Sequence, residues 1–182
     1  MQAHDPAHPV AFRFAKPADA EAVRALIELA YRGPETAGRW SSESHLLRGP
    51  RTSLSEIEAL IASPDACFVL AETGEAHLSG CALIQRRAED GAAYFGMFAI
   101  DPDTHARGLG KAVLAACERF ARELWRADAM ILTVISLRTE LIAWYERRGY
   151  ALTGARFAFP FSETTGELRR DFDLIEMRKA LA

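Results

Sequence analysis

The stretch Ala92-Ala93-Tyr94-Phe95-Gly96-Met97-Phe98-Ala99-Ile100-Asp101-Pro102-Asp103-Thr104-His105-Ala106-Arg107-Gly108-Leu109-Gly110-Lys111 decides how this chain is read. Ala92 to Ile100 is almost wholly apolar and predicts a strand. Asp101-Pro102 ends it, because proline brings no amide hydrogen to a sheet ladder. A helix is expected from about Gly108 to Trp125, with Val113, Cys117, Phe120, Ala121 and Leu124 along its inner face. The loop between them carries Gly108 and Gly110. A helix N-terminus has unpaired amides and a partial positive charge, and glycines let the backbone approach an anion closely. The geometry therefore suits a phosphate or pyrophosphate, to which Arg107 and Lys111 would add charge. A bare Gly-x-Gly is also compatible with a tight turn into an ordinary helix. No third glycine stands at the spacing of a dinucleotide fingerprint, and no Gly-Lys-Ser/Thr of a triphosphate loop is present.

Toward the N-terminus, Val10 to Phe14 reads as a strand and Pro17 suits the first turn of a helix. Val23, Leu26, Ile27, Ala30 and Tyr31 recur at helical spacing until Gly33-Pro34. Residues 34–52 form a polar stretch. Ser53-Leu54-Ser55-Glu56 then has the form of a capping box opening a short helix, with Ile57, Leu60 and Ile61 on one face and Pro64-Asp65 as its stop. Cys67 to Ala71 and Leu78 to Gln85 read as two strands joined in a hairpin at Thr73-Gly74-Glu75. Toward the C-terminus, Met130 to Ile135 is a continuous β-branched and apolar run suited to a parallel strand buried on both faces. Thr139 to Arg148 is helical in pattern with Gly149 as its C′ residue, and strands start at Tyr150 and cover Phe172 to Met177. The order β-α-α-β-β-β-α-β-α-β-β predicts a mixed α/β sheet with helices on its faces.

Asp101-Pro102 followed by His105-Ala106-Arg107-Gly108-Leu109-Gly110 resembles the acyl-CoA pyrophosphate loop of the GNAT superfamily of N-acetyltransferases, Arg/Gln-x-x-Gly-x-Gly/Ala. His105 departs from the Arg or Gln of the first position. A second segment, Glu140-Leu141-Ile142-Ala143-Trp144-Tyr145-Glu146-Arg147-Arg148-Gly149-Tyr150, resembles the superfamily's later Asn-x-x-Ala-x-x-x-Tyr motif with its Gly-Phe. Tyr145 falls on the family tyrosine, Arg138 stands where Asn is usual, and Leu141 stands where Ala is usual. The two motifs lie in the expected order about 35 residues apart, with the expected strand between them. Arg39-Trp40-Ser41-Ser42-Glu43, Gly49-Pro50-Arg51-Thr52, Ile135 to Tyr145 and Phe159-Pro160 further resemble a bacterial subgroup of the superfamily.

The resemblance implies a GNAT-type fold: a central, mostly antiparallel sheet with one parallel splayed strand pair, flanked by four helices. It implies acetyl-CoA as co-substrate, with Phe98, Ala99 and Ile100 near its thioester carbonyl and His105, Ala106, Arg107, Gly108, Leu109, Gly110, Lys111 and Arg138 as binding positions. Tyr145 takes the role of the acid that protonates the leaving thiolate. An alkyl amine is mostly protonated near neutrality, so a base is required, and Glu43, Glu72 and His45 are the candidates. Trp40, Glu43 and Arg51 in the first variable loop and Phe159, with Phe161, in the second are expected to line the acceptor pocket, because loops carry specificity more often than scaffold does. An acidic pocket would suit a cationic amine, whereas Arg51 facing it would suit an acceptor that carries a carboxylate. The expected reaction is direct transfer to a primary amine of a small molecule or peptide. A non-catalytic acyl-CoA-binding module is the alternative.

Composition bounds these readings. The chain has 182 residues and 49% hydrophobic content, enough for one core, so a single domain spanning 1–182 is expected. A net charge of −3 offers no basic field for nucleic acid. No apolar run approaches the length of a membrane helix, and Met1 to Pro6 has neither a basic start nor an apolar stretch, so a cytoplasmic protein is expected. Three widely spaced cysteines argue against both a disulfide framework and a metal site. A homodimer is compatible with the family.

Overall fold

The computed structural model describes residues 10–33, 43–74, 76–104, 108–162 and 165–182. In chain order the elements are β1 (Ala11–Phe14), a short 3₁₀ turn (Pro17–Asp19), α1 (Ala20–Arg32), α2 (Leu54–Ala62), β2 (Ala66–Thr73), β3 (His77–Arg86), β4 (Ala92–Ile100), α3 (Leu109–Trp125), β5 (Ala129–Ile135), α4 (Thr139–Glu146), β6 (Ala151–Ala158) and β7 (Asp173–Ala180). The strands form one sheet in the order β1-β2-β3-β4-β5-β7-β6. Every neighbouring pair is antiparallel except β4–β5, which is parallel.

The alternation of side chains in β2 explains the layers. Phe68 and Leu70 point to one face, where they pack with Val23, Ile27 and Ile57 of α1 and α2. Val69 and Ala71 point to the other, packing with Val113, Cys117 and Ala121 of α3. β5 is buried on both faces as its apolar run predicts: Met130, Leu132 and Val134 join the α3 layer, and Ala129 and Ile131 pack with Ala92. α4 completes the α3 layer through Tyr145.

Several local expectations shift. Burial in α3 follows the i, i+4 row Leu109-Val113-Cys117-Ala121, which continues to Trp125, so Leu124 turns off that row and is exposed. The Ser53 hydroxyl accepts from the Glu56 amide at 3.1 Å, but the Glu56 carboxylate takes the Thr52 hydroxyl at 2.6 Å. Only half of the capping box therefore forms. α4 ends at Glu146, earlier than Arg148, and Gly149 supplies the left-handed residue (φ 89°) that turns the chain into β6.

Candidate active site

The site begins where β4 and β5 part. They pair only through Ala92, Ala93 and Tyr94 against Ala129, Met130 and Ile131. Above that point the Tyr94 hydroxyl meets the Thr133 hydroxyl at 3.1 Å, and from Phe95 onward β4 has no partner in β5. The opening forms part of a cleft of about 580 Å³ whose walls include Phe95, Met97 and Phe98 from β4 and Leu132 to Ile135 from β5.

A bulge re-aims β4 inside this opening. Ala93 and Phe95 face the α3 layer, and strict alternation would place Met97 and Ala99 there too. Instead Phe98 does so, while Met97 and Ala99 join the α1 layer. The β3–β4 register slips between Cys81 and Leu83, and Met97 has φ 44°, a conformation uncommon for a non-glycine residue. Gly96 makes the close packing possible: a Cβ there would stand 2.8 Å from the Tyr94 ring.

α4 brings Tyr145 to the cleft. Its ring is buried and edge-on to Phe95, Trp144 and Tyr150, with centroids at 6.4, 5.0 and 5.5 Å. Its hydroxyl bonds to no group among the described residues. Burial pushes its pKa well above the ordinary tyrosine value, so the group holds its proton until a strong base forms beside it. Arg138, at the N-cap of α4, lines the same cleft, and its charge opposes the upward shift at both Tyr145 and Tyr31.

The far wall comes from α1 and the loop before α2. Arg32 holds that loop, donating to Gly49 O at 2.8 Å and to the Glu43 carboxylate at 3.0 Å. Glu28 accepts from the amides of Arg51 and Thr52 at 2.6 and 2.9 Å. The Arg51 guanidinium then lies over the Tyr31 ring, 5.1 Å from its centroid. Burial pushes the Tyr31 phenol up to about 12. A second loop closes the edge: Arg48 and Gly49 donate to Gly166 O and Thr165 O, and the rings of Phe159 and Phe161 pack on Phe172. Gly166 (φ 56°) has no room for a side chain, since a Cβ would stand 2.7 Å from Gly49 N.

Thus Phe98, Arg138, Tyr145, Glu43, Arg51 and Phe159 share one cleft. The side chain of Ala99 is buried beneath α1, and that of Ile100 packs toward α3, leaving only their backbone to serve a ligand. Gly108 caps α3 with φ 82°, and among the described residues, its chain neighbours aside, no heavy atom lies within 4 Å of where its Cβ would be. Leu109 is buried in the core, Gly110 is half-buried and Lys111 is exposed. Trp40, His105, Ala106 and Arg107 lie outside the described residues. Two candidate bases are displaced. Glu72 is bound to Arg13 on the β1 side of the sheet, and His45 is exposed and does not line the cleft. Glu43 does line it, in an ion pair with Arg32. Sequence spacing carried no sign of Glu28, Arg32, Tyr94 or Thr133. Their roles depend on contacts between residues far apart in the chain.

The profile of the Acetyltransferase (GNAT) family matches residues 23–150. The chain belongs to this family. The chain is 32% identical over 136 residues to a mycothiol acetyltransferase of Salinispora arenicola; the matched region is 73% of this chain and 41% of that protein. The chain thus spans about two fifths of the length of that relative. A protein of the GNAT family from Desulfovibrio desulfuricans superimposes with a TM-score of 0.67 and 26% identity, over 96% of this chain and 100% of the other. The ribosomal-protein-S18-alanine N-acetyltransferase of Escherichia coli shares the fold, with a TM-score of 0.69 and 16% identity over 96% and 95% of the two chains. The seven-stranded, mostly antiparallel sheet with one parallel pair and the four helices are the fold of these structures. No helix among the described residues is long and apolar enough to cross a membrane.

Proposed function

We propose that this GNAT acetyltransferase moves the acetyl group of acetyl-CoA to a primary amine of a small molecule or peptide, by direct attack of the amine in a ternary complex. The observation that carries this reading is Tyr145: a buried phenol whose hydroxyl has no partner among the described residues, lining the cleft that opens where β4 leaves β5.

The residues present fit a long acyl-CoA. The open edge of β4 offers backbone to an extended arm, and the cap of α3 offers amides and no acidic side chain in the first turn. We assign the pyrophosphate to the segment His105–Lys111 and the carbonyl oxygen to a backbone amide among Phe98, Ala99 and Ile100. Arg138 adds positive charge beside the opening. The thioester supplies an activated acyl carbon. As the amine nitrogen bonds to it, the carbon–sulfur bond breaks and its electron pair leaves on sulfur. Tyr145 donates its proton to that sulfur. The amine's surplus proton leaves through Glu43 or water, since Glu43 is the candidate base that lines the cleft. The reading further includes one domain over 1–182, a cytoplasmic setting consistent with three free cysteines, and a possible homodimer.

The test is thiol release from acetyl-CoA across a panel of primary amines, alongside the thermal shift induced by CoA. Turnover with at least one amine is expected. A CoA-induced shift without turnover on any amine would favour the alternative, a non-catalytic acyl-CoA-binding module. No shift and no turnover would reject both.

A further inference from the structure

The acetyl-transfer reading leaves the acceptor unnamed, and one side chain in the cleft has no task within it. Arg51 is anchored by its backbone: its amide and that of Thr52 share the Glu28 carboxylate, and Arg32 holds Gly49 O two residues earlier. Its guanidinium rests on the Tyr31 ring. Among the described residues that guanidinium forms no ion pair and no hydrogen bond, although it lines the cleft. The neighbouring charges are already engaged. Arg32 is paired with Glu43, and Glu56 accepts the Thr52 hydroxyl. Burial alone would lower the pKa of Arg51. The fields of Tyr31, Glu43, Tyr94 and Glu56 outweigh that effect, so the charge is retained.

A planar guanidinium held by its backbone and stacked on a ring is a preorganised receptor for a carboxylate, which it grips with two parallel N–H···O bonds. A purely cationic acceptor would instead meet the like charge of Arg51. The cleft of about 580 Å³ must also admit the acyl donor, so the volume left over suits a small molecule.

We propose that the acceptor is a free amino acid or a similarly small amine carrying a carboxylate, and that Arg51 is the residue that takes the carboxylate. This rests on the acetyl-transfer reading and names its substrate class. Arg51 determines specificity; it does not take part in the chemical step.

The experiment compares free amino acids with their carboxamides as acceptors, by thiol release, in the wild type, Arg51→Lys and Arg51→Gln. The wild type is expected to favour the carboxylates by about 10- to 100-fold in kcat/KM, the scale of a charged hydrogen-bonded pair. Arg51→Gln should remove that preference, while the amides lose far less, and Arg51→Lys should keep part of it. A role confined to stacking on Tyr31 would lower the melting temperature without changing the ratio. Independently of any variant, the deaminated acids should inhibit the wild type competitively against the amine. Equal use of carboxylates and amides, or a preference that survives Arg51→Gln, overturns the assignment while the acetyl-transfer reading stands. Absence of turnover on every amine overturns both.

Discussion

The hydroxyls of Tyr94 on β4 and Thr133 on β5 meet at 3.1 Å just above the last paired residues of the only parallel strand pair in the described sheet. Below this contact the backbones hold each other, and above it they diverge around the cleft. Tyr94→Phe should therefore cost about 1 kcal/mol of stability, the worth of one hydrogen bond. Gly96→Ala should do more at the site, because the new methyl would stand 2.8 Å from the Tyr94 ring and displace it. The expected result is a several-fold rise in KM for acetyl-CoA. Steady-state kinetics beside chemical denaturation would check both, and an unaltered KM in Gly96→Ala would detach the Tyr94 packing from the slot.

Tyr145→Phe and Gly110→Asp should separate chemistry from binding. The first removes only a hydroxyl from a buried ring and should lower turnover by about 10²-fold or more with CoA affinity nearly intact. The second places a bulky anion at the second residue of α3 and should weaken CoA binding through crowding and like charge. Because burial raises the Tyr145 pKa above the ordinary tyrosine value, the proposed acid holds its proton across the neutral range, and no loss of turnover there should trace to it. Isothermal titration with CoA and a pH–rate profile supply the readouts. Wild-type turnover in Tyr145→Phe would remove the residue from the mechanism.

Glu28 acts at a distance from the reacting atoms. Its carboxylate ties two amides of the 49–52 loop to α1 and so sets the position of Arg51. Glu28→Ala should raise the acceptor KM by about 10-fold, in line with the loss of charge-assisted hydrogen bonds, with a much smaller change in the KM for acetyl-CoA. Equal effects on both constants would mean that the substitution loosens the domain as a whole.

Stability should fall on the alkaline side. Burial raises Cys81 from 9.0 to about 12 and Tyr31 from 10.0 to about 12, and it also raises Cys117 and Tyr145. In the unfolded chain these groups release their protons at the lower, ordinary values, so above about pH 9 the unfolded state binds fewer protons than the native one. The contribution of Cys81 and Tyr31 is complete below pH 9 and is lost as pH rises through about 12, with a slope of about 1.4 kcal/mol per pH unit for each proton. Urea unfolding under reducing conditions between pH 7 and 11 should give a level midpoint that declines above pH 9. Cys81→Ala should flatten the decline by about one proton's worth of slope. A midpoint level to pH 11 would contradict this.

Much of this molecule was legible from local pattern. The period of Val23, Leu26, Ile27 and Ala30 located α1 and its buried face, and the run from Met130 to Ile135 announced a strand covered on both sides. Gly149 marked the turn into β6 because a left-handed residue is needed there, although α4 itself stops at Glu146. The motif around Tyr145 picked out the side chain that the fold then places in the cleft. The β4 bulge was not legible, because Ala92 to Ile100 is apolar on both faces and such a run hides a slip of one residue. Leu124 misled for a related reason: an apolar residue one step off the buried row looks like a member of it.

The amino-acid order by itself determined the elements and their sequence along the chain, since both depend on periodicity and turn residues within a few tens of positions, and the resemblance of its two motifs pointed to the family. The tertiary structure alone decided which charges meet. Only folding brings Glu28 and Arg32 of α1 to the loop at Gly49–Thr52, places Tyr94 against Thr133 across 39 positions and puts Arg51, whose guanidinium has no ion pair among the described residues, in one cleft with Tyr145. Contacts between distant segments have no periodic signature in the chain; they follow from sheet order and loop closure. For that reason Tyr145 could be picked out by its motif, while the assignment of Arg51 to a carboxylate depended on seeing which neighbouring charges were already paired.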